Sequence, residues 1–349
     1  MPALLLSASC ALSACSEEPV LSDAPPSETR AAPTSAVSED AAPQDVAPED
    51  VRVRAAATLM PPALNYEDAR AKLEAGVGGL FIPSWADPEL LSDGPRGVNA
   101  LREEMGRDFE VSIDFEGGRV QRFSEILGDY PSPQAMAEGH SPDEVEALAT
   151  EIGHSLRAHG VTVDFAPVLD VDGGDLEVVG DRSFSTDPQA AGEYGAAFAR
   201  GLQAAGVKAV FKHFPGHGRA SGDTHLGEAV TPPLEELYGH EFVSFHNALP
   251  QAPDAALMMG HLVVPGLGEE PASLNPRAYQ LAREELGFEG TIYTDDLGGM
   301  ASISENFSVP EAVAAALTAG ADMPLWSTDD DINAVIDAAA EVVAQQEGN

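Results

Sequence analysis

The chain has 349 residues, with 18 Lys and Arg against 58 Asp and Glu and a formal net charge of −40. That balance argues against nucleic acid as a partner, because phosphate backbones are held by clustered basic side chains. With Lys72, Lys208 and Lys212 as its only lysines, the chain has no basic face for anionic lipid either, while 44% hydrophobic residues and 33 glycines exclude disorder throughout.

Both cysteines, Cys10 and Cys15, fall in the first fifteen residues, so the folded body holds no disulfide framework and no thiolate metal site. Residues 3–14 form an apolar run of signal-peptide length, too short to span a bilayer as a mature helix. The run ends in Leu12-Ser13-Ala14-Cys15, which resembles the lipobox of bacterial lipoproteins. The resemblance implies a signal peptide over 1–15, lipidation of Cys15, and export to the outer face of the bacterial cytoplasmic membrane, or secretion. Contact with the membrane is then expected only through the anchor at Cys15. Residues 16–50 carry six prolines and nine acidic residues against the single Arg30, which predicts a disordered acidic tether ahead of a folded domain over 51–349.

From residue 51 the chain alternates strand and helix eight times. Short β-rich runs bounded by Gly, Pro or Asp lie at about 53–60, 78–83, 109–115, 161–168, 207–213, 254–262, 290–295 and 321–326. Helical stretches follow, clearest at 142–158, 188–205, 234–249, 276–286 and 329–346, with start signals at Ser141-Pro142, Asp187-Pro188 and Asn275-Pro276. Eight parallel βα units in about 300 residues is the arithmetic of an α/β fold closed as a (β/α)8 TIM barrel, a single catalytic domain. An open doubly wound sheet is the alternative, but no glycine-rich dinucleotide fingerprint follows the first strand.

Barrel sites sit where strands end, and there the ionisable residues gather. Asp114 ends the third strand, Asp170 and Asp172 follow the fourth, Lys212 and His213 end the fifth, His261 the sixth, Asp295 and Asp296 the seventh. The densest segment runs from Phe211 to His225 and holds three of the nine histidines. Zinc binding, a structural loop, an acid/base relay and a sugar or phosphate site are four uses of such a segment. Zinc is disfavoured because Pro215 and Gly216 prevent the helix that would bring His213 and His217 to one face. Asp223 and His225 are two apart, near enough for the carboxylate to fix the imidazole tautomer, which is an acid/base device. Asp295 can be a carboxylate nucleophile across the barrel mouth. Asp296 is the alternative, but neighbouring strand residues point to opposite faces.

Lys212-His213-Phe214-Pro215-Gly216-His217-Gly218, followed by Asp223-Thr224-His225, resembles the signature of glycoside hydrolase family 3, in particular its single-domain bacterial β-N-acetylglucosaminidases. The segments Asp114–Arg122, Pro131-Ser132-Pro133, Asp164–Asp170, Gly180–Phe184 and Thr294–Leu297 extend the resemblance in order along the chain. It implies a retaining exo-hydrolase that releases terminal β-linked N-acetylglucosamine from peptidoglycan fragments or related glycans. Asp295 would be the nucleophile and His225, paired with Asp223, the acid and base, while Asp114, Arg122, Arg182, Lys212 and His213 would bind the sugar. Glu116 would order its glycine-rich turn, and His217 and His261 would order loops. The chain departs from the family pattern at Phe115, at Arg219-Ala220 and at Pro324. No cofactor and no metal is implied, and a monomer is expected. A phosphorylase on the same scaffold and an inactive sugar-binding lipoprotein are the competing readings; a β-glucosidase is disfavoured because those of the family normally carry a second domain that supplies their acid.

Overall fold

The computed structural model describes residues 48–171 and 176–347, and the chain divides into two units, Met1–Asp45 and Val46–Asn349, of which the second is described below. Cys15, the apolar start, all but the end of the proline-rich stretch, and Asp172 lie outside the described residues. The strands are β1 (Gly79–Phe81), β2 (Glu110–Ile113), β3 (Phe115–Gly117), β4 (Val120–Gln121), β5 (Val163–Asp164), β6 (Lys208–Phe214), β7 (Ala229–Val230), β8 (Ala256–Met259), β9 (Leu262–Val263) and β10 (Ile292–Thr294).

Six of them form one parallel sheet in the order β1-β2-β5-β6-β8-β10, with Leu80 beside Val111, Ile113 beside Asp164 and Tyr293 beside Met258. Helices join them, as parallel neighbours require. Further parallel bridges link Pro62 to Phe81, Met60 to Leu325 and Met323 to Tyr293, so short segments at 60–62 and 323–325 continue the pairing beyond both edge strands. The sheet is apolar on both faces. A smaller cluster takes Met60, Phe81, Val163, Phe165, Val210, Met258, Tyr293 and Leu325, at least one from every strand of the sheet but β2, and a larger one fills the space beneath the helices. Near-continuous hydrophobic strands are what a parallel sheet covered on both faces demands.

Local chemistry sets the helix boundaries. Ser141 and Glu144 form a reciprocal capping box at the start of Pro142–Ala158, while Asp187 and Asn275 cap Pro188–Ala204 and Pro276–Glu284. The first two helices pack closely because Pro188–Ala204 presents small residues. A Cβ on Gly201 would stand 2.3 Å from the Glu146 carbonyl oxygen, so any side chain there forces the pair apart.

Where the sequence pattern predicts a strand over 53–60, Pro48–Ala57 is a helix. Its Ala55 and Ala56 are buried, and Arg54 forks onto Glu347 of the C-terminal helix at 2.7 and 2.9 Å. Packing and the helix propensity of Ala and Arg outweigh a short apparent alternation. The stretch 234–249 is two helices, Leu234–Leu237 and Glu241–Ala248, broken around Gly239. In place of a last strand over 321–326 there are only the bridges at Met323 and Leu325. Pro324 between them lacks an N–H, but its carbonyl accepts from the Met60 N–H at 3.1 Å.

Candidate active site

A cleft of about 580 Å³ opens at the C-terminal ends of the sheet strands and lies within the range of roughly 300–1,000 Å³ usual for ligand sites. Asp114, Arg122, Arg182, Lys212, His213, His225 and Asp295 all line it, so the structure brings together residues up to 181 positions apart in the chain. Asp223 is not part of the lining. It stands behind His225.

Asp295 follows β10 and is placed by its own N–H, which donates to the Met259 carbonyl of β8 at 2.9 Å. One carboxylate oxygen accepts from the Asp296 N–H at 2.9 Å, and the other lies 4.0 Å from Nε2 of His213. Burial pushes this carboxyl up, but the charges of His213 and His261 and the Asp296 N–H outweigh it and hold the group down at about 2. The N–H acts at every pH, whereas the imidazoles act only when protonated. Asp295 is therefore an anion across the physiological range, with one face open to the cleft.

Asp296 lines the same cleft, so strand alternation does not separate the two carboxylates; β10 has already ended at Thr294. What separates them is occupancy. The Asp296 carboxylate accepts from the N–H groups of Gly298, Gly299 and Ser327 and from the Ser327 hydroxyl, at 2.5 to 3.0 Å. It is a structural clasp. His261 reinforces it from below, with Nε2 donating to the Asp296 carbonyl at 2.9 Å and Nδ1 facing the Ser273 hydroxyl at 2.7 Å.

On the long loop after β6, Asp223 Oδ1 accepts from the His225 N–H at 2.9 Å and meets Nδ1 of the same residue at 2.8 Å. The carboxylate, held below its ordinary pKa by these contacts against the pull of burial, fixes the proton on Nδ1. Nε2 is left without a partner among the described residues, on a side chain 57% exposed. The loop is anchored by Ser221 N–H to the Val230 carbonyl and by Ser302 N–H to the Thr224 carbonyl. At its root a Cβ on Gly218 would lie 1.8 Å from the Val171 carbonyl oxygen, so only glycine fits there.

The cleft floor is a buried chain of alternating charge. Glu116, on β3, accepts from Nε and Nη2 of Arg182 at 2.8 Å each and from Nζ of Lys212 at 2.7 Å, and Lys212 also reaches Asp114 at 2.8 Å. Burial alone would raise the Glu116 carboxyl, but the two cations hold it well below the carboxylate range. Arg182 borders the cleft with each of its nitrogens already committed, Nη1 to the Val178 carbonyl. Three of its five N–H donors are used in this way, and one on each of Nη1 and Nη2 remains. Arg122 differs: its guanidinium lines the cleft with no ion pair among the described residues.

His213 is oriented by Asp170, which accepts from its Nδ1 at 2.6 Å and from the backbone N–H groups of His213 and His217. Of His217, buried beside His213, neither ring nitrogen has a partner among the described residues. The departure at Arg219 has a clear reason: its guanidinium forks onto the buried Glu241 at 2.6 and 2.7 Å, tying the loop to the helix that begins there. Arg119, Trp85, Met300 and Ser327 also line the cleft and were not singled out in the sequence. Arg119 lies inside the Asp114–Arg122 motif, whereas no local pattern marks Trp85, Met300 and Ser327, which reach the site from loops whose course depends on the whole fold. Among the described residues, no group of three or more metal-binding side chains occurs and no helix is long and apolar enough to cross a membrane.

Residues 51–348 match the family model described as the glycosyl hydrolase family 3 N terminal domain. A relative named beta-hexosaminidase LpqI, from Mycobacterium tuberculosis, is 43% identical over 295 residues, covering 82% of this chain and 73% of its own. Another named beta-hexosaminidase, from Stenotrophomonas maltophilia, is 40% identical over 234 residues, 65% of this chain and 69% of the relative. Among solved structures, a glycosyl hydrolase of the same family from Mycobacterium smegmatis superposes with a TM-score of 0.78 at 42% identity, covering 85% of this chain and 95% of that one. A family 3 β-N-acetylglucosaminidase from Paenibacillus gives 0.77 at 30% identity, over 85% of this chain and 58% of its own.

Replacing Glu116 by Ala leaves Arg182 and Lys212, with side chains 11% and 2% exposed, facing one another without their shared counter-charge. Urea denaturation of Glu116→Ala should show a loss of about 3–5 kcal/mol of unfolding free energy. A loss under about 1 kcal/mol would mean that the charges are solvated and do not hold the cleft floor.

Proposed function

The chain belongs to glycosyl hydrolase family 3 and is a glycoside hydrolase; from that premise we propose that it is a retaining exo-β-N-acetylglucosaminidase, with Asp295 as nucleophile and His225 and Asp223 as the acid/base pair. The observation that carries this reading is one cleft lined by a free carboxylate and by an imidazole whose far nitrogen is pinned by a second carboxylate.

Protonated His225 gives its Nε2 proton to the glycosidic oxygen while Asp295 attacks the anomeric carbon. The sugar–oxygen bond breaks and a glycosyl ester forms. Neutral His225 then takes a proton from water, the water oxygen attacks the same carbon, and the Asp295 carboxylate is released. Two inversions leave the configuration retained. An imidazole suits both steps because the intrinsic pKa of the ring lies near neutrality, and a carboxylate at Nδ1 fixes the tautomer that presents Nε2 to the substrate. Asp114, Arg122, Lys212 and His213 offer the charged donors and acceptors that hold sugar hydroxyls. The names of the relatives support N-acetylglucosamine as the sugar released.

We also read the fold as a closed (β/α)8 barrel whose first and last positions are the segments at 60–62 and 323–325, a reading supported by the parallel bridges they make with the edge strands and with each other. With Cys15 as a lipid anchor, the enzyme would work at the outer face of the cytoplasmic membrane, where fragments of cell-wall peptidoglycan are within reach.

The full chain should release free N-acetylglucosamine from its p-nitrophenyl β-glycoside with or without phosphate, and Asp295→Ala should lower kcat by about 10⁴-fold or more. Sugar 1-phosphate as the product would make the protein a phosphorylase, and no turnover would favour an inactive sugar-binding protein. In Asp223→Ala, kcat should fall about 10²-fold with the fold intact by circular dichroism, because the imidazole loses the carboxylate that fixes its tautomer. An unchanged kcat would remove the pair from the mechanism. Expression of Cys15→Ala should transfer the protein from the membrane pellet to the soluble fraction; unchanged partition would rule out the anchor.

A further inference from the structure

The chain contains two tryptophans. Trp326 is 1% exposed in the core, whereas Trp85 is 64% exposed and lines the cleft. Leaving an indole in water forfeits the largest burial that any side chain offers. Among the described residues Trp85 has no ring partner, no cation over its face and no hydrogen bond from its indole.

The backbone beneath it is fixed. Trp85 sits in a tight turn closed by the Ala86 N–H on the Pro83 carbonyl at 3.0 Å. The next residue, Asp87, donates its N–H to the Leu64 carbonyl at 2.8 Å and accepts from the Glu89 N–H at 2.9 Å. Ala86 is buried, so the turn is clamped from below while the indole stands clear. An unpartnered aromatic face on an anchored backbone is presented, not merely left over.

The cleft is graded. Asp114, Lys212, His213 and Asp295 are buried or half-buried, while its exposed lining among the described residues consists of Ser84, Trp85, Arg119, His225 and Gly299. The imidazole that protonates the leaving oxygen thus belongs to the rim. A departing sugar attached through that oxygen must lie along the rim too, and among the described residues Trp85 is the one Phe, Tyr or Trp side chain there. A β-linked pyranose with equatorial substituents turns a face of axial C–H bonds, which is electropositive and apolar, and such a face complements the electron-rich face of an indole.

We propose that Trp85 stacks against the second, departing sugar ring, so that the preferred substrates are β-linked disaccharides or longer glycans whose second residue is a pyranose and not simple glycosides. This rests on the glycosidase reading above.

The test compares N,N′-diacetylchitobiose with methyl β-N-acetylglucosaminide, which has no second ring, using the full chain. In Trp85→Ala the ratio of kcat/KM for the disaccharide to that for the methyl glycoside should fall about tenfold, mostly through KM. A ratio equal to that of the unsubstituted protein would overturn the proposal. Emission gives a reading that needs no turnover. In Asp295→Ala the disaccharide should quench and blue-shift the exposed-tryptophan fluorescence, and the change should vanish when Trp85→Phe is added. Binding of the disaccharide with no Trp85-dependent change would also sink the idea. If neither glycoside is cleaved by the unsubstituted protein, the glycosidase reading falls, and the fluorescence decides separately whether Trp85 meets sugar.

Discussion

The cleft depends on one buried carboxylate. Glu116 sits where two cations converge, and each of the three groups is tolerated out of water only because the other two are present. Through Lys212 the same network reaches Asp114, so residues from β3, from the segment after β5, from β6 and from the end of β2 are locked in register at the cleft floor. In a chain of net charge −40 such placement has a further consequence. Cations are scarce, and Arg119, Arg122, Arg182 and Lys212 are four of the eighteen, all gathered at one cleft. The surface stays acidic while the site is locally balanced.

Around that floor the carboxylates divide by what their oxygens already hold. Asp296 is filled by backbone N–H groups and a hydroxyl, Asp170 by His213 and His217, Asp223 by His225 and Glu116 by its cations. Asp295 keeps one oxygen for which the structure supplies only a 4.0 Å approach from His213. Unspent hydrogen-bonding capacity on a group kept anionic is what a nucleophile requires, and it distinguishes Asp295 from a neighbour of identical chemistry.

The loop carrying His225 shows the opposite design. Its root is tight, with Gly218 against the Val171 carbonyl and Arg219 clamped on Glu241, while its tip exposes His225 and Leu226. A rigid base and an exposed tip place the His225 imidazole at the rim, where the proposed acid has to meet the glycosidic oxygen. The clamped turn of Trp85 lines the same opening, so the proposed chemistry and the proposed selectivity share one cleft.

Much of this was legible in the chain because it is encoded locally. Capping residues at Ser141, Asp187 and Asn275 mark helix starts from their own chemistry, and the ordered motifs from Asp114 to Leu297 identify the family without reference to distant contacts. Tertiary contacts decided the rest. The helix at Pro48–Ala57 forms because a buried alanine face meets the C-terminal helix, and the break around Gly239 lets Glu241 meet Arg219. Whether Arg182 offers its donors to a sugar or spends them on Glu116, and whether Asp295 or Asp296 is free, depends on partners tens of residues away. Residue type and spacing set which groups can do chemistry, because caps, turns and motif order act over a few residues. Which of those groups remain unsatisfied is a property of long-range packing, and only the folded chain determines it.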